Sequence, residues 1–134
     1  MYNYNEKLLK AKQNLDQRLA LQRRRREDGK KYAIDYFSLY RGEIVQEVLN
    51  SLIEYVEDQY HCETYFEATY FIYNEYYFLQ SDAYRDGFKE KMVELISKNI
   101  CELIPDFKEN LDIIIKEYYE IDNDRITIIV SLRF

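Results

Sequence analysis

Proline occurs once in 134 residues, glycine three times and tryptophan not at all. A chain with so few breakers has no flexible Gly/Ser linker, no collagen-like or polyproline segment, and long stretches free to be helical. The glycines at 29, 42 and 87 stand too far apart for a phosphate-cradling loop or a dinucleotide fingerprint. Two cysteines, Cys62 and Cys101, are too few for a disulfide framework, and a reducing compartment would keep both as buried, small apolar thiols.

One histidine, His61, leaves little room for acid–base chemistry. A serine triad would have to be built on it, and no Gly-x-Ser-x-Gly elbow exists. A Cys101–His61 dyad is the remaining nucleophilic arrangement, and a lone histidine beside a helix end serves packing more often than catalysis. Zinc needs four ligands, whereas His61, Cys62 and Cys101 supply three, two of them adjacent. Asp122-Asn123-Asp124 opens like a calcium loop, but Thr127 stands where glycine is required and Arg133 where glutamate is required, so it reads as a turn. Pro105-Asp106 is not followed by the acidic-x-Lys triplet of a metal-dependent nuclease, because Ile114 occupies the acidic place before Lys116. The expectation is a protein that is not an enzyme, with no catalytic residues, cofactor or metal.

No window approaches 18 consecutive apolar residues, and the opening Met1-Tyr2-Asn3-Tyr4-Asn5 lacks the apolar core of a signal peptide, so the expected location is cytoplasmic, without membrane contact. The apolar fraction of 47% nevertheless suffices for a core, and the length suits one domain.

Charge is present in quantity and unevenly placed. Residues 1–31 hold ten Lys or Arg against four Asp or Glu, a local +6, while residues 32–134 hold nine against 21, a local -12. This divides the chain into a basic helical arm, 1–31, and an acidic globular body, 32–134. Asn5 to about Asp28 are strong helix formers with Leu8, Ala11, Leu15 and Leu19 on one narrow stripe. Past Leu19 the same face continues as Gln22 and Arg26, so that end should project into solvent, and Gly29 supplies a C-terminal stop.

Residues 32–40 fit a strand by composition and the start of a helix by length, with the helix preferred. From Glu43 to Tyr60, Ile44, Val45, Val48, Leu49, Leu52, Ile53 and Val56 cover one side of a helix. Residues 65–78 carry eight aromatics and fit strand and helix equally, leaving the structure of 62–80 open. Ser81 or Asp82 should cap a helix to about Leu103, with Phe88, Met92, Leu95, Ile96 and Leu103 inward and Pro105 at its end. The apolar runs either side of 121–125 read as a C-terminal β-hairpin. The expected fold is α+β and predominantly helical, with amphipathic helices packed on a small antiparallel sheet.

Two surfaces are candidates for function. Glu43, Glu47, Glu54, Glu57 and Asp58 share a sector of about 100°, and Asp86, Glu90 and Glu94 line the later helix. Four of the first group span about 22 Å, a density approaching that of a nucleic-acid strand, which suits the basic groove of a nucleic-acid-handling protein. Arg23, Arg24, Arg25 and Arg26, with Lys30 and Lys31, are suited to a partner or to DNA or RNA phosphates. The aromatics of 65–78 have only Glu67 and Glu75 as charged neighbours in sequence, which favours a protein contact over base stacking. In general character, by size, acidity and composition, the chain resembles the small acidic inhibitors of phages and mobile elements, of the anti-CRISPR and anti-restriction type. That resemblance implies a nucleic-acid mimic that binds a protein partner through its acidic, Tyr-rich face. A nucleic-acid-binding regulator using the Arg-rich helix, an immunity or adaptor protein for a basic partner, and a homo-oligomer remain as alternatives.

Overall fold

A computed structural model describes residues 3–60 and 62–134; His61 lies outside the described residues. The first element, α1 (Tyr4–Glu57), is a single helix of 54 residues, about 81 Å long at 1.5 Å per residue. Asn3 caps it, its side chain accepting from the Glu6 amide at 3.1 Å. The stop expected at Gly29 is absent. Gly29 keeps a negative φ and is buried inside the helix, and residues 32–40 are helical, as preferred from length, forming the middle of α1.

The chain then returns through β1 (Tyr65–Ile72), the single turn α2 (Glu75–Phe78) and α3 (Asp82–Leu103), followed by a 3-10 turn at Pro105–Asn110 and the hairpin β2 (Leu111–Tyr118) and β3 (Arg125–Arg133). The open region 62–80 thus divides between strand and helix. Asn74 separates the two, accepting from the Tyr77 amide at 3.1 Å while donating to the Tyr32 hydroxyl at 2.7 Å. Ser81 caps α3, and Pro105 opens the 3-10 turn where a missing amide costs nothing. The α+β architecture, mainly helical with an antiparallel sheet and a C-terminal hairpin, is as the sequence indicates.

The sheet is antiparallel in the order β1-β3-β2, with Tyr70 opposite Ile128 and Ile113 opposite Val130. The strict alternation of β1 buries Phe66, Ala68, Tyr70 and Ile72. These meet Ile126, Ile128, Val130 and Leu132 of the central strand, and both helices close over that face. α1 and α3 run parallel: Gly29 lies against Tyr84 and Phe88, and Ile34 to Arg41 share a groove with Leu95 to Glu102. A band of rings joins them, with Tyr32 5.5 Å from Phe88 and 5.1 Å from Tyr76, and Phe88 5.0 Å from Tyr77.

Three local expectations fail. Leu103, expected inward, is exposed because α3 ends there and its inward face finishes at Ile100. Cys62 is exposed in the loop before β1, and Cys101 is only partly covered because Ile100 takes the buried position beside it. Most consequentially, Leu8, Leu15 and Leu19 are all exposed, and α1 has no buried residue before Gly29. The uncovered arm reaches to about Arg26, where α3 begins to cover α1.

Candidate functional site

α1 carries a basic cluster before its middle and an acidic cluster toward its C-terminal end, and the body modifies the two differently. At the root of the arm, Arg26 donates from Nε and Nη2 to Glu90 Oε2 at 3.0 and 2.6 Å, and Lys30 lies 3.7 Å from the same carboxylate. The Arg26 hydrogen bond holds the Glu90 carboxyl below the usual carboxylate range, and Glu90 in turn raises Arg26. Two members of the basic cluster are therefore engaged with the chain's own α3. Arg23, Arg24, Arg25 and Lys31 are exposed and make no ion pair among the described residues.

The α3 carboxylates are also engaged locally: Asp86 lies 3.5 Å from Lys89 and Glu94 3.0 Å from Lys91. On α1, Glu43 accepts the Tyr70 hydroxyl at 2.8 Å, and Asp58 accepts the Tyr60 amide at 3.0 Å as the helix ends. Glu47, Glu54 and Glu57 are exposed and unpaired among the described residues. The structure thus gathers Asp86 and Glu90 with the root of the arm, and leaves Glu47, Glu54 and Glu57 as a separate acidic end. Arg26 and Glu47 stand about 32 Å apart along the axis. Beside the root, Arg25, Lys31, Asp28, Asp35, Tyr32 and Tyr84 line a cleft of about 640 Å³, whose two cations and two acids cancel.

Two constellations carry no signature in the linear sequence. Glu117, on β2, accepts from Tyr77 at 2.6 Å, from Arg85 at 2.8 Å, from Lys89 at 2.9 Å and from Tyr119. Burial pushes this carboxyl up, but the hydrogen bonds from Tyr119, Tyr77 and Lys89 and the charge of Lys89 outweigh it and hold the group at about 2. Its one sequence signal is parity: Glu117 follows Ile113 and Ile115 on the inward face of β2. The second is the open face of the sheet. There Arg125 lies 4.8 Å from the Phe71 ring centre and 5.2 Å from that of Tyr118, and Arg133 is 5.1 Å from Tyr65. Within 65–78 the sequence offered Tyr65 and Phe71 only acidic charged neighbours; strand pairing brings the arginines to them. Between Phe71 and Lys116 in the register, the buried Thr127 hydroxyl has no hydrogen-bond partner among the described residues.

The tyrosines divide by cover. Burial raises Tyr77 and Tyr70, each further raised by the carboxylate it donates to, and raises Tyr84; burial and the neighbouring Tyr40 push Tyr36 to about 12. A raised tyrosine favours the neutral folded form, so its contribution is whole below pH 10 and is lost as pH rises through the folded value. Ultraviolet titration should show Tyr36, Tyr70, Tyr77 and Tyr84 ionising only at high pH, together with loss of helical circular dichroism. Simultaneous ionisation of all phenols with helicity intact would contradict this placement.

Among the described residues no three His, Cys, Asp or Glu side chains are grouped to hold a metal ion, and no helix is long and apolar enough to cross a membrane. The chain matches no protein-family model, and it is not significantly similar to any curated protein or solved structure.

Proposed function

We propose that this chain is a non-enzymatic binding protein acting in the cytoplasm, of the kind that phages and mobile elements use as inhibitors. In this reading Glu47, Glu54 and Glu57 occupy a basic surface of a nucleic-acid-handling protein, and the arm reaches the nucleic acid that protein holds. The observation that supports it is the continuity of α1: one helix carries the unpaired Arg23, Arg24 and Arg25 at the root of the arm and the unpaired glutamates toward its C-terminal end, about 33 to 51 Å away along the axis. Charges spaced this way suit a surface that alternates in sign, as a protein with bound nucleic acid does. The carboxylates of α3 contribute less, because lysines and Arg26 already engage them.

The test is copurification from a bacterial lysate with and without nuclease, repeated with Glu47→Lys, Glu54→Lys and Glu57→Lys combined. The expected result is a nuclease-resistant protein partner whose affinity for the variant falls at least about 30-fold at low salt. Unchanged affinity would make the acidic end an ordinary solvated surface. A second reading, a nucleic-acid-binding regulator, is favoured by the unpaired Arg23, Arg24 and Arg25. It expects direct, salt-sensitive binding of free DNA or RNA that is lost when these three become alanine.

A further inference from the structure

The apolar stripe of the arm lies on the covered face of α1, continued past the point where cover ends. At 100° per residue from Leu8, the arm residues Tyr4, Leu8, Ala11, Leu15 and Leu19 fall between about -60° and +20°, and Gly29, Ala33, Phe37 and Ile44 fall in the same sector. From Gly29 onward this face is buried; before it, Tyr4 and Leu8 are 76% and 71% exposed and Leu15 and Leu19 44% each. Among the described residues nothing covers Leu8, Leu15 or Leu19. In proteins most of a helix's stability comes from packing its apolar face.

We infer that the cover is the same stripe of a second copy, laid antiparallel to form a two-fold dimer. Three features select that occupant. The first is spacing: an antiparallel arm places Leu8 against the partner's Leu15 and Tyr4 against the partner's Leu19, with the small Ala11 beside the axis, so large side chains meet in layers and backbones approach at the centre. This is the self-complementarity an isologous contact requires.

The second is charge. Tyr4 to Leu19 carries four cations and two acids, a net +2, whereas residues 20–31 carry six cations and two acids, a net +4. An antiparallel pair joins the weakly charged halves and keeps the Arg23–Arg26 clusters at opposite ends; a parallel pair would stack eight arginines together.

The third is area. The exposed stripe side chains of two arms offer on the order of 1,000 Å², the lower end of specific interfaces, which suits a weak, concentration-dependent dimer.

The experiment is sedimentation equilibrium of the full chain, freed of nucleic acid by nuclease and high salt, from about 1 to 500 µM. A monomer–dimer equilibrium is expected. Leu8→Asp with Leu15→Asp should weaken it at least about 30-fold, and because both side chains are uncovered in the single chain, melting of the body should not change. With Cys62→Ser and Cys101→Ser as background, Ala11→Cys should form a disulfide-linked dimer under mild oxidation, and Gln22→Cys should not. A monomer throughout, a dimer indifferent to the leucine changes, or preferential cross-linking through Gln22→Cys each overturns the proposal. None of these outcomes bears on the charge-reversal test of the acidic end.

Discussion

Gly29→Ala and Gly87→Ala should each lower the melting temperature by about 8 °C or more, while Gly42→Ala raises it slightly. All three glycines sit inside helices, where alanine alone would be favoured by about 1 kcal/mol. The difference is what the added methyl meets. At Gly29 a Cβ would stand 2.8 Å from the Tyr84 carbonyl carbon and closer still to its oxygen; at Gly87 the same holds for the carbonyl of Arg26; at Gly42 nothing lies within 4 Å. The obstacles at the first two sites are backbone, which cannot turn aside as a side chain does. The helices must therefore separate along the contact that also seats Phe88 and Tyr32. Overpacking of this kind costs about 3 kcal/mol, leaving a net loss near 2 kcal/mol after the helix gain, at about 4 °C each for a chain of this size. Because either substitution separates the same pair of helices, the double variant should lose less than the sum. Thermal melting followed by circular dichroism measures all four, and equal effects at Gly29 and Gly42 would refute the close crossing.

The same glycine explains why α1 was only partly legible. Gly29, preceded by four arginines and followed by two lysines, carries the ordinary signs of a helix C-terminus. Glycine has a second use inside helices, close approach of a neighbouring backbone, and the neighbour here lies almost 60 residues further on. No local window contains that information. The hairpin and α3 were legible because their signals are local: a polar turn between β-rich runs, and Ser81 as a cap. Residues 65–78 were not, since Phe66, Tyr70, Tyr73 and Tyr77 satisfy helical spacing, and it is the pairing with β3 that selects the strand. The acidic positions on α1 and α3 follow from periodicity. Which of them are free does not: Glu90 is taken by Arg26, 64 positions away, and Glu43 by Tyr70. The sheet arginines beside Phe71 and Tyr65 were hidden for the same reason, being brought there by pairing rather than by sequence.

Glu117→Gln should cost about 3 kcal/mol, the loss expected when one partner of a largely buried charge pair is removed. The amide keeps the size of the carboxylate, but it removes the negative charge facing both Arg85 and Lys89 and puts a donor NH2 among groups that themselves donate. The Glu117 side chain is only 11% exposed and that of Arg85 16%, so water replaces little of what is lost. The same network fixes an acid limit to stability. Glu117 titrates near 4.5 in the unfolded chain and is held at about 2 in the fold, so its contribution is complete above pH 4.5 and declines as pH falls toward 2. Over that window the wild type should lose up to about 3 kcal/mol through this one group, whereas the glutamine variant, with no proton to take up there, loses only what the other carboxylates account for. Urea unfolding at pH 7, 4.5 and 3 separates the two: the gap between wild type and variant should be widest at pH 7 and narrow steadily toward pH 3. A gap that stays constant would mean the glutamate acts by packing alone. Because Tyr77, Arg85 and Lys89 join α2 and α3 to β2 through this carboxylate, its protonation should loosen the helix–sheet contact while leaving the uncovered arm, which makes no part of it, as it was.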